Sequence, residues 1–84
     1  MPRLSPDLRT TYTADGAVVL DIARGRIFRF NRTGSRILQM LESGRTQEEI
    51  TSMLVGEFSA DVVAAESDTG EFLANLESYS LIES

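Results

Sequence analysis

The chain predicts an α+β fold in which a three-stranded antiparallel sheet precedes three helices. Three observations carry that prediction. Up to Phe30 the apolar residues recur every second position, and after Asn31 they recur every third or fourth. Turn chemistry stands where strands should end, at Asp15-Gly16 and at Gly25. Eighty-four residues make one domain, large enough for one modest core.

The elements follow in order. Residues 1–7 hold both prolines and read as a flexible N-terminal arm, leaving 8–84 as the folded domain. Leu8, Thr10 and Tyr12 alternate with Arg9, Thr11 and Thr13 as a first strand. Asp15-Gly16 supplies the positive φ values of a tight hairpin turn. A second strand places Val18, Leu20 and Ile22 on one face. The third strand, Arg26 to Phe30, sets Phe28 and Phe30 on one face and Ile27 and Arg29 on the other.

Asn31 or Thr33 caps a first helix with Ile37, Leu38 and Leu41 as its stripe, Met40 beside it and Gly44 at its end. Thr46 and Glu49 form a capping box for a second helix, whose stripe is Ile50, Met53, Leu54 and Phe58. Ser59 or Asp61 starts a third, with Val62, Ala65, Phe72, Leu73, Leu76 and Tyr79 inward. Gly70, in Ser67 to Gly70, predicts a kink or restart there, because glycine inside a helix costs about 1 kcal/mol relative to alanine. The order is winged helix-turn-helix-like, which makes a DNA-binding regulator the alternative to weigh.

Charge argues against DNA. Residues 1–45 contain eight arginines and four acids, a net +4, and residues 46–84 contain nine acids and no base. The second and third helices would be the readers, and both would be repelled by the phosphate backbone. Composition excludes other classes. With no Cys and no His, disulfides, thiol or imidazole catalysis and the usual zinc sites are absent. The carboxylates Glu48, Glu49, Glu66 and Asp68 sit on solvent faces, and Glu66, Asp68 and Thr69 match no calcium loop. A non-enzymatic protein without metal or cofactor is expected. The absence of a long apolar run or signal-like N-terminus points to the cytoplasm and away from a membrane.

What remains is an edge. In a meander the third strand has one unpaired side, a row of free N–H and C=O groups. Its two arginines discourage self-pairing, and they equally suit capture of an extended peptide by strand addition.

The residues resemble a family at this point. "VVLDIARGR" precedes "FRFN", Phe28 to Asn31, and Thr33-Gly34 follows. Ile37-Leu38, Leu41, Gly44, Thr46, Glu49-Ile50 and Leu54 continue the pattern, and Asp68, Phe72-Leu73, Leu76 and Leu81-Ile82 close it. This order resembles the PqqD-like domains, the recognition elements of pathways that modify ribosomally made peptides (RiPPs). Its stand-alone length and "NRTG" look most like the leader-binding half of split lasso-peptide B proteins. Phe30 departs from a usual Leu, Thr69 from a usual apolar residue, and Tyr79-Ser80 from a common Gly. The resemblance implies that a precursor's leader adds as a strand beside Arg26, Ile27, Phe28, Arg29 and Phe30. It also implies a groove walled by third-helix positions around Ala65, Asp68, Phe72 and Asn75. The partners it implies are the leader region of a precursor peptide and a leader peptidase or other modifying enzyme.

Overall fold

A computed structural model describes residues 3–58 and 61–83, with the side chain of Glu83 excepted. The elements run β1 (Arg3–Leu4), β2 (Leu8–Thr13), β3 (Gly16–Asp21), β4 (Arg26–Phe30), α1 (Arg32–Glu42), α2 (Gln47–Phe58), α3 (Val62–Ser78) and β5 (Ile82–Glu83). The three expected strands are β2, β3 and β4, an antiparallel sheet in that order. A second pairing lies where the sequence predicts an arm. Arg3–Leu4 pairs with Ile82–Glu83, and the Ser5 N–H donates to the Leu81 carbonyl at 2.9 Å. Prolines mark the segment, but Leu4 packs on the core and ties it to the C-terminal end.

The sheet covers the helices with one face. Ala17, Val19 and Asp21 of β3 point to them and are buried. Val18, Leu20 and Ile22 share the opposite face, and it is the solvent face, with Leu20 39% and Ile22 57% exposed. The longer apolar side chains therefore lie outside, because Ala17 and Val19 fit closer under α1. The turn between β2 and β3 is Ala14-Asp15, and neither has a positive φ; Gly16 already belongs to β3.

Helix boundaries follow the local chemistry. Asn31 is the N-cap of α1, its side chain accepting from the Gly34 N–H at 2.9 Å. Gly44, at φ 78°, turns the chain away after α1. The capping box closes both ways: Glu49 N–H donates to Thr46 Oγ1 at 3.2 Å and Thr46 N–H to Glu49 Oε1 at 2.9 Å. Asp61 caps α3 through the Ala64 N–H at 3.1 Å; the other candidate, Ser59, lies outside the described residues. No break occurs at Gly70. The helix runs unbroken from Val62 to Ser78, since Gly70 lies over Gln47 and Leu73 and Leu76 hold the following turns on the core.

The core joins Val19 to Ile37, Leu38, Met40, Leu41, Ile50, Leu54, Leu73, Leu76 and Leu81. Each large apolar side chain buried there contributes about 1.5–3 kcal/mol. Three residues of the expected stripes lie outside it: Phe58, Val62 and Tyr79 are 42%, 53% and 51% exposed. One core position is polar. Thr69 is wholly buried and its hydroxyl has no partner among the described residues. Thr69→Val keeps the shape and removes the orphan, so it is expected to raise stability by about 1–2 kcal/mol. Urea unfolding measures this, and a lower midpoint would refute it.

Candidate functional site

The register shows which backbone groups are free. The two-residue loop Ala14-Asp15 closes on the Thr13–Gly16 pair, which must therefore exchange both hydrogen bonds. Pairs alternate from there, so Gly16, Val18 and Leu20 turn their amides to β2. Ala17, Val19 and Asp21 turn theirs to Phe30, Phe28 and Arg26 of β4. Ile27 and Arg29 are left, and both aim their N–H and C=O groups at the open edge. Among the described residues no strand pairs on that side of β4.

The helix side of this edge forms a groove. Phe28 and Phe30 are half-buried against α3: Phe30 meets Phe72 at 5.7 Å between ring centroids, and Phe28 meets Tyr79 at 5.2 Å. Beyond Phe30 the groove opens into a cavity of about 450 Å³ lined by Arg29, Phe30, Asn31, Thr33, Gly34, Ile37, Leu54, Phe58, Ala65, Asp68 and Phe72. Five expected residues meet here: Arg29, Phe30, Ala65, Asp68 and Phe72. Ala65 is buried in the wall, while Asp68 stands exposed at the lip. The other four expected residues do not line this cavity. Ile27 faces the outer side of the sheet, 66% exposed, and reaches the edge through its backbone. Phe28 packs under Tyr79. Asn75 is exposed one turn before the end of α3 and accepts from the Tyr79 N–H.

Arg26 is committed elsewhere. Its Nη2 donates to Asp21 Oδ2 at 2.7 Å and to the Tyr79 carbonyl at 2.6 Å, and its guanidinium lies 5.1 Å from the Phe28 ring centroid. Alternation explains this, because Arg26 falls on the helix face with Phe28 and Phe30. Arg24 also serves Asp21, through its N–H at 3.3 Å and Nη1 at 3.4 Å. Arg36 and Glu57 join the basic and acidic halves with Nε–Oε1 and Nη2–Oε2 bonds of 2.9 Å, and Arg45 pairs with Glu49. Among the described residues Arg9, Arg29 and Arg32 keep no ion pair.

The Arg26 guanidinium, with Arg24 adding to it, holds the Asp21 carboxyl below the usual carboxylate range against the opposing effect of burial. A lowered folded pKa favours the folded state above the unfolded carboxylate pKa, and that contribution fades as pH falls through the folded value. Stability is therefore expected to drop from the ordinary carboxylate range downward, and Asp21→Asn should flatten that limb. Thermal unfolding between pH 5 and about pH 2 tests it; an unchanged limb in the variant would place the acid sensitivity elsewhere.

Asn31, Thr33, Gly34, Ile37, Leu54 and Phe58 complete the cavity and lie outside the expected set. A signal existed only for Phe58, which ends the α2 stripe beyond its best-buried members. Gly34 has a steric reason: a Cβ there would lie 3.0 Å from Phe72 Cε2 and 3.3 Å from Phe30 Cβ, against the two rings that form the groove wall. The arrangement provides a backbone ladder, an apolar cavity and a carboxylate, Asp68, at its lip. It provides no sheltered acid–base pair, and no three metal-ligating side chains converge among the described residues. Among the described residues no helix is long and apolar enough to cross a membrane.

Known proteins share this fold. No curated protein matches. TbiB1, in a complex with the TbiA(beta) leader peptide, superposes with a TM-score of 0.92 at 32% identity, over 96% of this chain and 94% of that one. A lasso peptide synthetase B1 complexed with its leader peptide gives 0.89 and 25% over 99% and 98%. The PqqD truncation of Methylobacterium extorquens PqqCD, a stand-alone RiPP recognition element, gives 0.79 at 24% identity over 99% and 88%, which shows the shared fold. The family model described as coenzyme PQQ synthesis protein D matches residues 16–82, and with that match and the likeness to TbiB1 this chain belongs to the PqqD family.

Proposed function

We propose that this protein is a non-catalytic recognition module that binds the leader of a ribosomally made precursor by strand addition to β4. Apolar leader side chains enter the cavity between β4 and α3. The observation that carries this reading is the unpaired edge at Ile27 and Arg29 standing directly beside that cavity. Main-chain bonds supply affinity with little demand on sequence, and the cavity supplies selectivity. Arg29 on the outer face of β4 and Asp68 at the lip of the cavity bias the leader's orientation. The module then presents the leader to a processing enzyme, a leader peptidase of a lasso-peptide pathway, in the cytoplasm. The leader peptides bound by TbiB1 and by the lasso peptide synthetase B1 support this. A DNA-binding role has no support: α2 and α3 carry no basic side chain, and Glu48, Glu66 and Glu71 are exposed.

The test is an NMR titration with the TbiA(beta) leader peptide. Saturable shifts are expected at Ile27 to Phe30, with new exchange protection of the Ile27 and Arg29 amides. Shifts confined to the outer ends of α1 and α2 would sink the proposal.

A further inference from the structure

We infer that Arg26 is a latch that shuts the Tyr79 end of the groove and thereby fixes the register of a peptide laid along β4, a positioning role that rests on the leader-binding reading above. Its Nη2 bridges buried Asp21 on β3 and the carbonyl of Tyr79, the C-cap of α3, at 2.7 and 2.6 Å. Among the described residues this is the hydrogen bond that joins β4 to the end of α3. It neutralises the negative end of the helix and draws the Tyr79 ring onto Phe28. The Nε–H of Arg26 is buried without an acceptor among the described residues, so the side chain is held in place at a cost.

The two ends of the groove differ as a result. At Phe30 a side chain from an added strand meets the open cavity. At Phe28 the next inward side chain meets a closed ring pair. Inward side chains on a strand repeat every second residue, so a slip of two residues would keep the facing and exchange these positions. The latch removes that alternative by refusing bulk at Phe28. In the antiparallel sense the preferred leader then has a large apolar residue opposite Phe30 and a small one two residues later.

The experiment uses the whole protein and the TbiA(beta) leader peptide with a nitroxide at its N-terminus. Paramagnetic broadening of the β4 amides should report one register for the native protein. Arg26→Gln should show two registers two residues apart. Arg26→Lys should restore most of the single register. Tyr79→Ala, at an exposed position that leaves the fold intact, should also admit the second register. One unchanged register in both Arg26→Gln and Tyr79→Ala would overturn the latch. A native protein whose β4 amides are not broadened at all would instead sink the leader-binding reading. In that event the peptide-free spectra still decide the latch: Phe28–Tyr79 ring contacts must be lost in Arg26→Gln, and their persistence overturns it.

Discussion

Ile27→Pro and Arg29→Pro are each expected to abolish tight leader binding while leaving the domain folded. Both residues direct their N–H to the open edge, so proline takes nothing from the β3–β4 ladder. It takes one donor from the proposed peptide ladder and puts a ring where the peptide's carbonyl should sit. The preceding residues, Arg26 and Phe28, are already extended, the conformation a following proline favours. The lost bond and the clash together should weaken binding at least about tenfold, and the double variant about a hundredfold. Phe28→Pro is the control. Its N–H bonds to Val19, so this variant should lose the sheet itself. Calorimetric titration with the TbiA(beta) leader peptide, beside circular dichroism, separates the cases. If both edge variants bind as tightly as the native protein and stay folded, β4 is not where a peptide adds.

That experiment depends on alternation, the feature of this chain most legible in its sequence. Period-2 spacing through Phe30 and helical spacing after Asn31 located the sheet and the capping box at Thr46, and narrowed the other caps to Asn31 or Thr33 and Ser59 or Asp61, because each is a local matter of side chain and neighbouring backbone. The pairing of Arg3–Leu4 with Ile82–Glu83 was not legible, since it joins two-residue strands from opposite ends of the chain. The continuous α3 was not either: a glycine's propensity cost is small against the burial of Leu73 and Leu76. For the site, Arg29, Phe30, Ala65, Asp68 and Phe72 were within reach of a reading based on β4 and α3. Leu54 was not, because only the packing of α2 beside α3 brings it to the cavity. Arg26 misled for a plain reason. A charge on a strand suggests a rim, whereas its position on the helix face made it a partner for Asp21.

Gly16→Ala is expected to be the most damaging single methyl in this protein. Gly16 has φ +159°, and a Cβ built there runs into the Phe30 carbonyl oxygen, with the Phe30 carbonyl carbon at 2.9 Å and that of Asn31 at 3.1 Å. These are backbone atoms, so no side-chain rotation relieves the overlap. The strand pair must part at its end, where the Phe30 carbonyl receives its bond from Ala17 and Asn31 caps α1. Steric overlap and backbone strain together should cost about 3 kcal/mol or more, a large share of what an 84-residue domain has. Gly25→Ala separates the two causes. Gly25 also has a positive φ, +65°, but nothing lies within 4 Å of its added Cβ, so only the left-handed backbone cost of about 1–2 kcal/mol applies. Urea unfolding should rank Gly16→Ala well below Gly25→Ala, and leader binding should fall with the folded fraction in the first and persist in the second. Equal midpoints would mean that β3 and β4 yield at this point without loss. The groove wall at Phe30 would then be softer than a single binding register requires.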